Sequence, residues 1–211
     1  MAPPTRLMSA KDRVKWDRRY SEGDRLHDGP PSGLLVRWID RLPRGRALDV
    51  ACGLGRHARF LARHGYQVDA VDISPVAVAE ARRRAQAENL RVHFVVADLD
   101  TMPLPAERYD LIVCTFFLMR SLFEGLMAAL RPGGALLYET HVEPPALDGG
   151  EVGGPSDAAH YLRSNELLRA CLDLRIVFYE ETVEEDRGRR TAVARLVAFR
   201  PPARAAAEAR G

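Results

Sequence analysis

At 211 residues the chain has room for one ordinary domain with a real hydrophobic core, which argues against a multi-domain machine. Its 46% hydrophobic and 28% charged residues place it outside disordered, collagenous and membrane-spanning compositions. The 31 basic residues are offset by 29 acidic ones, and a net charge of +2 leaves no large basic field for nucleic acid.

In chain order, Ala10 to about Tyr20 reads as a polar leader helix, with Ser9 as its cap and Asp12 in the position a capping box gives to an acid. After Gly29-Pro30-Pro31, Ser32 caps a second helix to about Arg41, with Leu35, Trp38, Ile39 and Leu42 on one side. Strands and helices then alternate. Ala47–Ala51 is a buried strand, Leu54–His64 a helix ended by Gly65, and Gln67–Val71 a strand. Ser74-Pro75 opens a helix, Arg91–Ala97 and Tyr109–Thr115 are strands, Met119–Leu130 is a helix, and Ala135–Thr140 a strand entered through Pro132-Gly133-Gly134. Strands separated by single helices imply parallel pairing through right-handed crossovers. Beyond a glycine-rich loop (Leu147–Ser156) and a helix from about Asn165 to Cys171, Arg175–Val183 and Thr191–Phe199 are closely spaced strands joined across Asp186–Arg190, an antiparallel hairpin. The expected fold is α/β: a doubly wound, mostly parallel seven-stranded sheet, Rossmann-like, with a terminal antiparallel hairpin.

Cys52, Cys114 and Cys171 are odd in number and widely spaced, so they encode neither a disulfide framework nor a zinc knuckle. With no signal-peptide stretch of roughly 7–15 apolar residues and no run approaching about 20, the expectation is a cytoplasmic protein without metal or membrane partner, monomeric or homodimeric.

The loop Asp49-Val50-Ala51-Cys52-Gly53-Leu54-Gly55 follows the first strand, where open parallel sheets hold their ligands. Gly53 and Gly55 clear side chains from the backbone, and the next helix offers unpaired N–H groups. Gly53-Leu54-Gly55-Arg56-His57-Ala58 fits G-x-G-x-x-G/A, and Asp72 stands 19 residues after Gly53, near the spacing of an acid that grips ribose hydroxyls. On this loop alone NAD and S-adenosylmethionine are equal candidates. A carboxylate at Asp49 would repel a pyrophosphate but hold an ammonium group. Asp98, ending the third strand, can accept from an adenine amine. The terminal hairpin replaces a second mononucleotide half. These features favour the sulfonium cofactor.

Leu48-Asp49-Val50-Ala51-Cys52-Gly53-Leu54-Gly55-Arg56, Val71-Asp72-Ile73-Ser74, Ala97-Asp98-Leu99, Tyr109-Asp110-Leu111-Ile112-Val113 and Leu130-Arg131-Pro132-Gly133-Gly134 resemble, in order and spacing, the motifs of class I S-adenosylmethionine-dependent methyltransferases. The leader Trp16-Asp17-Arg18-Arg19-Tyr20, the Gly55-Arg56-His57 step and Leu162–Leu168 look like the tellurite-resistance type of small-molecule methyltransferases. Ala51 stands where this loop often carries its first glycine. The resemblance implies leader helices over residues 1–45 forming a lid, a cofactor-binding domain over 46–200 and a disordered tail from 201. It implies that Asp49 holds the cofactor's ammonium and that Ala51, Gly53 and Gly55 present backbone to it. Asp72 would take both ribose hydroxyls, Ile73 would pack on adenine with Asp98 and Leu99 at its far edge, and Cys114 would line the wall. Trp16, Arg19 and Cys52 complete the expected cofactor set.

The implied reaction is in-line methyl transfer to a small acceptor with an anionic oxygen, sulfur or chalcogen nucleophile, leaving S-adenosylhomocysteine. Cys52 and Cys114 read as small apolar fillers rather than nucleophiles. Phe116-Phe117 are either core or an acceptor wall. A leader helix folded over the strand ends would exclude water and point Tyr20 at the methyl group. His141, ending the fifth strand, is a candidate acid–base group, and Arg120 with Arg187, Arg189 and Arg190 a candidate anion-receiving set. A nicotinamide-dependent oxidoreductase and a non-catalytic cofactor-binding protein are the alternatives. Nucleic-acid methylation is disfavoured because Cys114-Thr115-Phe116-Phe117 lacks the Asn/Asp-Pro-Pro-aromatic turn that grips a flipped base.

Overall fold

A computed structural model describes residues 10–22, 29–144, 152–186 and 189–202. Its seven strands are β1 (Arg46–Val50), β2 (Gln67–Asp72), β3 (Val92–Val96), β4 (Tyr109–Thr115), β5 (Leu130–His141), β6 (Arg175–Asp186) and β7 (Arg189–Phe199). They form one sheet in the order β3-β2-β1-β4-β5-β7-β6. Strands β1 to β5 run parallel, and β7 lies antiparallel between β5 and β6. The expected doubly wound sheet with a terminal hairpin is the fold observed.

The helices are α1 (Ala10–Ser21), α2 (Gly33–Trp38), α3 (Arg56–Arg63), α4 (Pro75–Ala87), α5 (Phe123–Ala129) and α6 (Glu166–Ala170). Central strands are apolar on both faces because helices cover both. Along β4, Leu111 and Val113 join the core formed with Leu35, Trp38, Leu61 and Val78, while Ile112 and Cys114 join the opposite core with Leu126 and Leu167. Two of the three expected caps are made: Ser32 Oγ accepts from Leu34 N at 3.2 Å, and Ser74 Oγ from Ala77 N at 3.1 Å, with Pro75 in the first turn.

Three boundaries differ from expectation. The segment expected as one helix over Met119–Leu130 is a single 3-10 turn, Arg120–Leu122, followed by the short α5, and Leu130 already pairs with Tyr109. Pro132-Gly133-Gly134 lies inside β5 rather than before it. A Cβ on Gly134 would come within 2.9 Å of the Tyr109 carbonyl oxygen, so glycine lets the chain cross β4 closely enough to pair. The hairpin strands are also longer than expected, pairing out to Asp186 with Arg189. Ser9, the loop over 147–151, Arg187, the Arg189 side chain and the tail beyond 202 lie outside the described residues. No described helix is long and apolar enough to cross a membrane.

Strand order reverses between β1 and β4. An open α/β sheet has its crevice beyond the carboxyl ends of the strands at such a switch point.

Candidate functional site

The chain leaves β1 through Ala51, whose φ of +52° is unusual for a residue with a Cβ. Cys52 N donates to Val71 O at 2.9 Å, tying this loop to the end of β2. Asp72 closes the tie: its Oδ2 accepts from Gly53 N at 2.8 Å and its Oδ1 from Ser74 N at 2.9 Å. Burial pushes the Asp72 carboxyl up against these amides, which favour its charged form. Each oxygen keeps a further acceptor site, so the same carboxylate can still receive hydroxyl donors.

The two glycines of this loop do different work. A Cβ at Gly53, φ +52°, would sit 2.7 Å from the Tyr20 hydroxyl, so the absence of a side chain at Gly53 leaves room for the Tyr20 side chain of α1. A Cβ at Gly55, φ +74°, would sit 3.0 Å from the Ala81 Cβ and 3.1 Å from the Phe94 ring. Gly55 therefore packs α3 against α4 and β3 and does not line the cleft.

Helix α1 crosses the carboxyl ends of the strands. Ser74 Oγ donates to Asp17 Oδ1 at 2.5 Å, the Trp16 and Tyr20 rings lie 5.9 Å apart, and the Arg19 guanidinium sits 5.0 Å from the Trp16 ring. Beneath α1 is a narrow cleft that opens to solvent. Of the expected site residues, the structure brings Trp16, Tyr20, Ala51, Cys52, Gly53, Asp72, Ile73 and Leu99 together on its walls.

Others lie elsewhere. Asp49 is buried under the loop, accepting from Ala58 N at 2.9 Å; burial outweighs that amide and the Arg56 charge and raises it to about 7. Asp98 Oδ1 accepts from Asp100 N at 2.9 Å in its own turn. Cys114 is fully buried, its thiol donating to Phe117 O at 3.7 Å and pushed up to about 12 by burial. Arg120 faces away from the cleft: Nε donates to Glu166 Oε1 at 2.5 Å and Nη2 to Tyr161 O at 2.8 Å, which fixes α6 and the preceding turn. His141 stands just behind the cleft mouth, its ring 5.1 Å from Phe116 and 5.9 Å from Tyr161. Its Nδ1 is buried without a hydrogen-bond partner, and burial, with His160 nearby, lowers its pKa to about 4.

The cleft also has walls that sequence reasoning gave no firm place: Arg56, His57, Thr115, Phe116 and Phe117. His57 Nε2 accepts from Ser32 N at 3.1 Å, which puts the ring proton on Nδ1, 3.3 Å from Thr115 Oγ1. Burial and the adjacent Arg56 hold this imidazole neutral, with a pKa of about 3. Phe116 has φ +53° and is 37% exposed, so a strained backbone holds an aromatic face at the mouth. A usable signal for Arg56 was its place directly after the second glycine, at the first turn of the helix that floors the cleft.

Fold and cleft resemble those of class I S-adenosylmethionine-dependent methyltransferases. The family described as "Methyltransferase domain" matches residues 47–134, from β1 into β5. Among curated proteins, the malonyl-[acyl-carrier protein] O-methyltransferase of Enterobacter lignolyticus is 34% identical over 57% of this chain and 48% of its own. A ubiquinone biosynthesis O-methyltransferase of Coxiella burnetii is 31% identical over 44% of this chain and 42% of its own. The chain thus spans about half the length of the curated relatives it matches. Solved structures agree on the fold. TehB from Haemophilus influenzae superposes with a TM-score of 0.71 at 22% identity, covering 88% of this chain and 67% of that one. The [4+2]-cyclase SpnF superposes at 0.76 and 20% identity, covering 95% and 98%.

Proposed function

We propose that this chain transfers a methyl group from S-adenosylmethionine to a small-molecule acceptor, in line, in the cytoplasm and without a metal. The observation that carries this reading is the Asp72 carboxylate, clasped between the Gly53 and Ser74 amides and facing a cleft roofed by α1. When bound, the cofactor supplies an already activated sulfonium methyl. The residues present fit it: Asp72 offers acceptors to ribose hydroxyls, Ile73 and Leu99 apolar contact for adenine, and Ala51 and Gly53 a backbone with small or no side chains, facing Tyr20 across the cleft. Asp98 stands at the far edge. Asp49, poised near neutrality, becomes a full carboxylate when an ammonium group arrives and stabilises it from below.

Trp16 and Tyr20 exclude water from above, with Arg19 bracing Trp16. At the mouth, Phe116 and Phe117 form the acceptor wall. The neutral His141 imidazole behind Phe116 is the group available to take an acceptor proton. Positioning and water exclusion supply most of the acceleration. Arg120, held by Glu166, has no part in this reading.

Isothermal titration with S-adenosylhomocysteine, with NAD as the comparison, tests the cofactor. Binding of the former and not the latter is expected, and the reverse would establish the oxidoreductase alternative. A tritiated-methyl screen over phenols, carboxylic acids, thiols and chalcogen oxyanions then tests transfer. Cofactor binding with no transfer to any class would leave a binding protein or, as in the [4+2]-cyclase, a different use of the fold.

A further inference from the structure

Arg56 is the lysine- or arginine-type cation on the cleft wall among the described residues, and its position works against a charge. It opens α3, where the helix dipole is positive and a cation is disfavoured. Its guanidinium is partly desolvated, which lowers its proton affinity. Asp49 and Glu139 act on it through space, but both are engaged elsewhere. Asp49 accepts from Ala58 N at 2.9 Å. Glu139 accepts from Arg195 Nε at 2.9 Å and from Ser32 Oγ. Among the described residues Arg56 makes no hydrogen bond or ion pair at contact distance. By contrast Arg46, Arg120 and Arg195, also partly buried, are each bound to a carboxylate. A guanidinium held at a helix start, half-buried, on the wall of a solvent-open cleft and with its fork of donors unspent, is arranged for an anion that enters the cleft.

We propose that Arg56 is the anion receptor of the cleft, binding a carboxylate or comparable oxyanion of the ligand. The inference rests on the methyltransferase reading. The shared chemistry has two sources, the amino-acid tail of the cofactor or an acidic group on the acceptor, and one experiment separates them.

Wild type, Arg56→Gln and Arg56→Lys are titrated with S-adenosylhomocysteine and with 5′-methylthioadenosine, which keeps adenosine and thioether but lacks the amino-acid carboxylate. If the tail is the partner, Arg56→Gln weakens S-adenosylhomocysteine by about 10- to 100-fold, as expected for loss of a charge-assisted bond. It leaves 5′-methylthioadenosine within about twofold, and Arg56→Lys recovers part of the loss. If the acceptor is the partner, S-adenosylhomocysteine affinity is unchanged in Arg56→Gln. Benzoate, but not benzamide, then raises the melting temperature of the cofactor-saturated wild type and fails to do so in the variant. Equal weakening of both nucleosides, or no effect of Arg56→Gln in either arm, overturns the proposal. Failure of the wild type to bind either nucleoside refutes the methyltransferase reading itself and is a distinct result.

Discussion

Replacing Gly55 with alanine is expected to damage the fold, whereas the same change at Gly53 damages the site. At Gly55 the backbone has φ +74°, and an alanine held there costs about 1–2 kcal/mol. The added Cβ would meet the Ala81 Cβ at 3.0 Å and the Phe94 ring at 3.1 and 3.2 Å. Ala81 Cβ is fixed to the α4 backbone and cannot rotate away, so overpacking adds about 1–3 kcal/mol. The stiffer unfolded chain returns about 0.4–1 kcal/mol, leaving a net loss of about 2–4 kcal/mol. For a domain of this size that lowers the melting temperature by about 4–16 °C. At Gly53 the obstacle is the Tyr20 hydroxyl at 2.7 Å, the far end of a side chain on a helix that can shift. The backbone cost there is about 1–2 kcal/mol. The larger effect is occupation of the space between loop and α1, so S-adenosylhomocysteine affinity falls by at least tenfold. Scanning calorimetry and titration on both variants check this. A Gly55→Ala protein melting within about 2 °C of wild type, or a Gly53→Ala protein that binds normally, would refute the division of labour between the two glycines.

Three further outcomes are expected. Phe116→Gly relieves a φ of +53° while removing a half-exposed ring, so stability by urea denaturation changes by about 1 kcal/mol or less, yet the acceptor KM rises with S-adenosylhomocysteine affinity unchanged. Asp49 titrates near 3.8 unfolded and about 7 folded, so the folded state holds the extra proton between those values. Its contribution is full below about pH 4 and is lost as pH rises through 7, a span worth up to about 4 kcal/mol; Asp49→Asn therefore gains stability relative to wild type between pH 5 and 8 in the absence of ligand. His141 runs the other way. Its folded value of about 4 lies below its unfolded 6.5, so its contribution is present above pH 6.5 and disappears as pH falls through 4. His141→Gln is expected to flatten the acid limb of the melting-temperature profile over that window.

The parallel sheet, the terminal hairpin and the glycine-containing turn between β1 and α3 were legible because each rests on local pattern: apolar runs between caps, Gly53 and Gly55, and Asp72 at the next strand end. Features arising from distant contacts were not. The break-up of Met119–Leu130 depends on Leu130 pairing with Tyr109 and on Gly134 passing the β4 carbonyls. Arg120 was expected among anion-binding residues, but its partner is Glu166, 46 residues on, a pairing that only the packed α6 creates. Gly55 fits a ligand-loop motif, but the Ala81 and Phe94 atoms that define its work come from two other elements. His57 and Arg56 are adjacent in sequence and opposite in character: the first is neutralised by burial between Ser32 and Thr115, the second left charged at the cleft.

The placement of β7 between β5 and β6 sets an order of events for a chain emerging from the ribosome. The first five strands can assemble as they appear, but β5 then presents an unpaired rim of peptide groups, and β6, whose strand partner is β7, has nothing to join. Only when residues 189–199 emerge can one segment satisfy both, closing two ladders at once. Until then the nascent polypeptide carries an open β-edge, the surface through which incompletely made proteins stick to one another. Arrest of translation before that segment thus yields a species prone to self-association, although every residue lining the cleft has already been made.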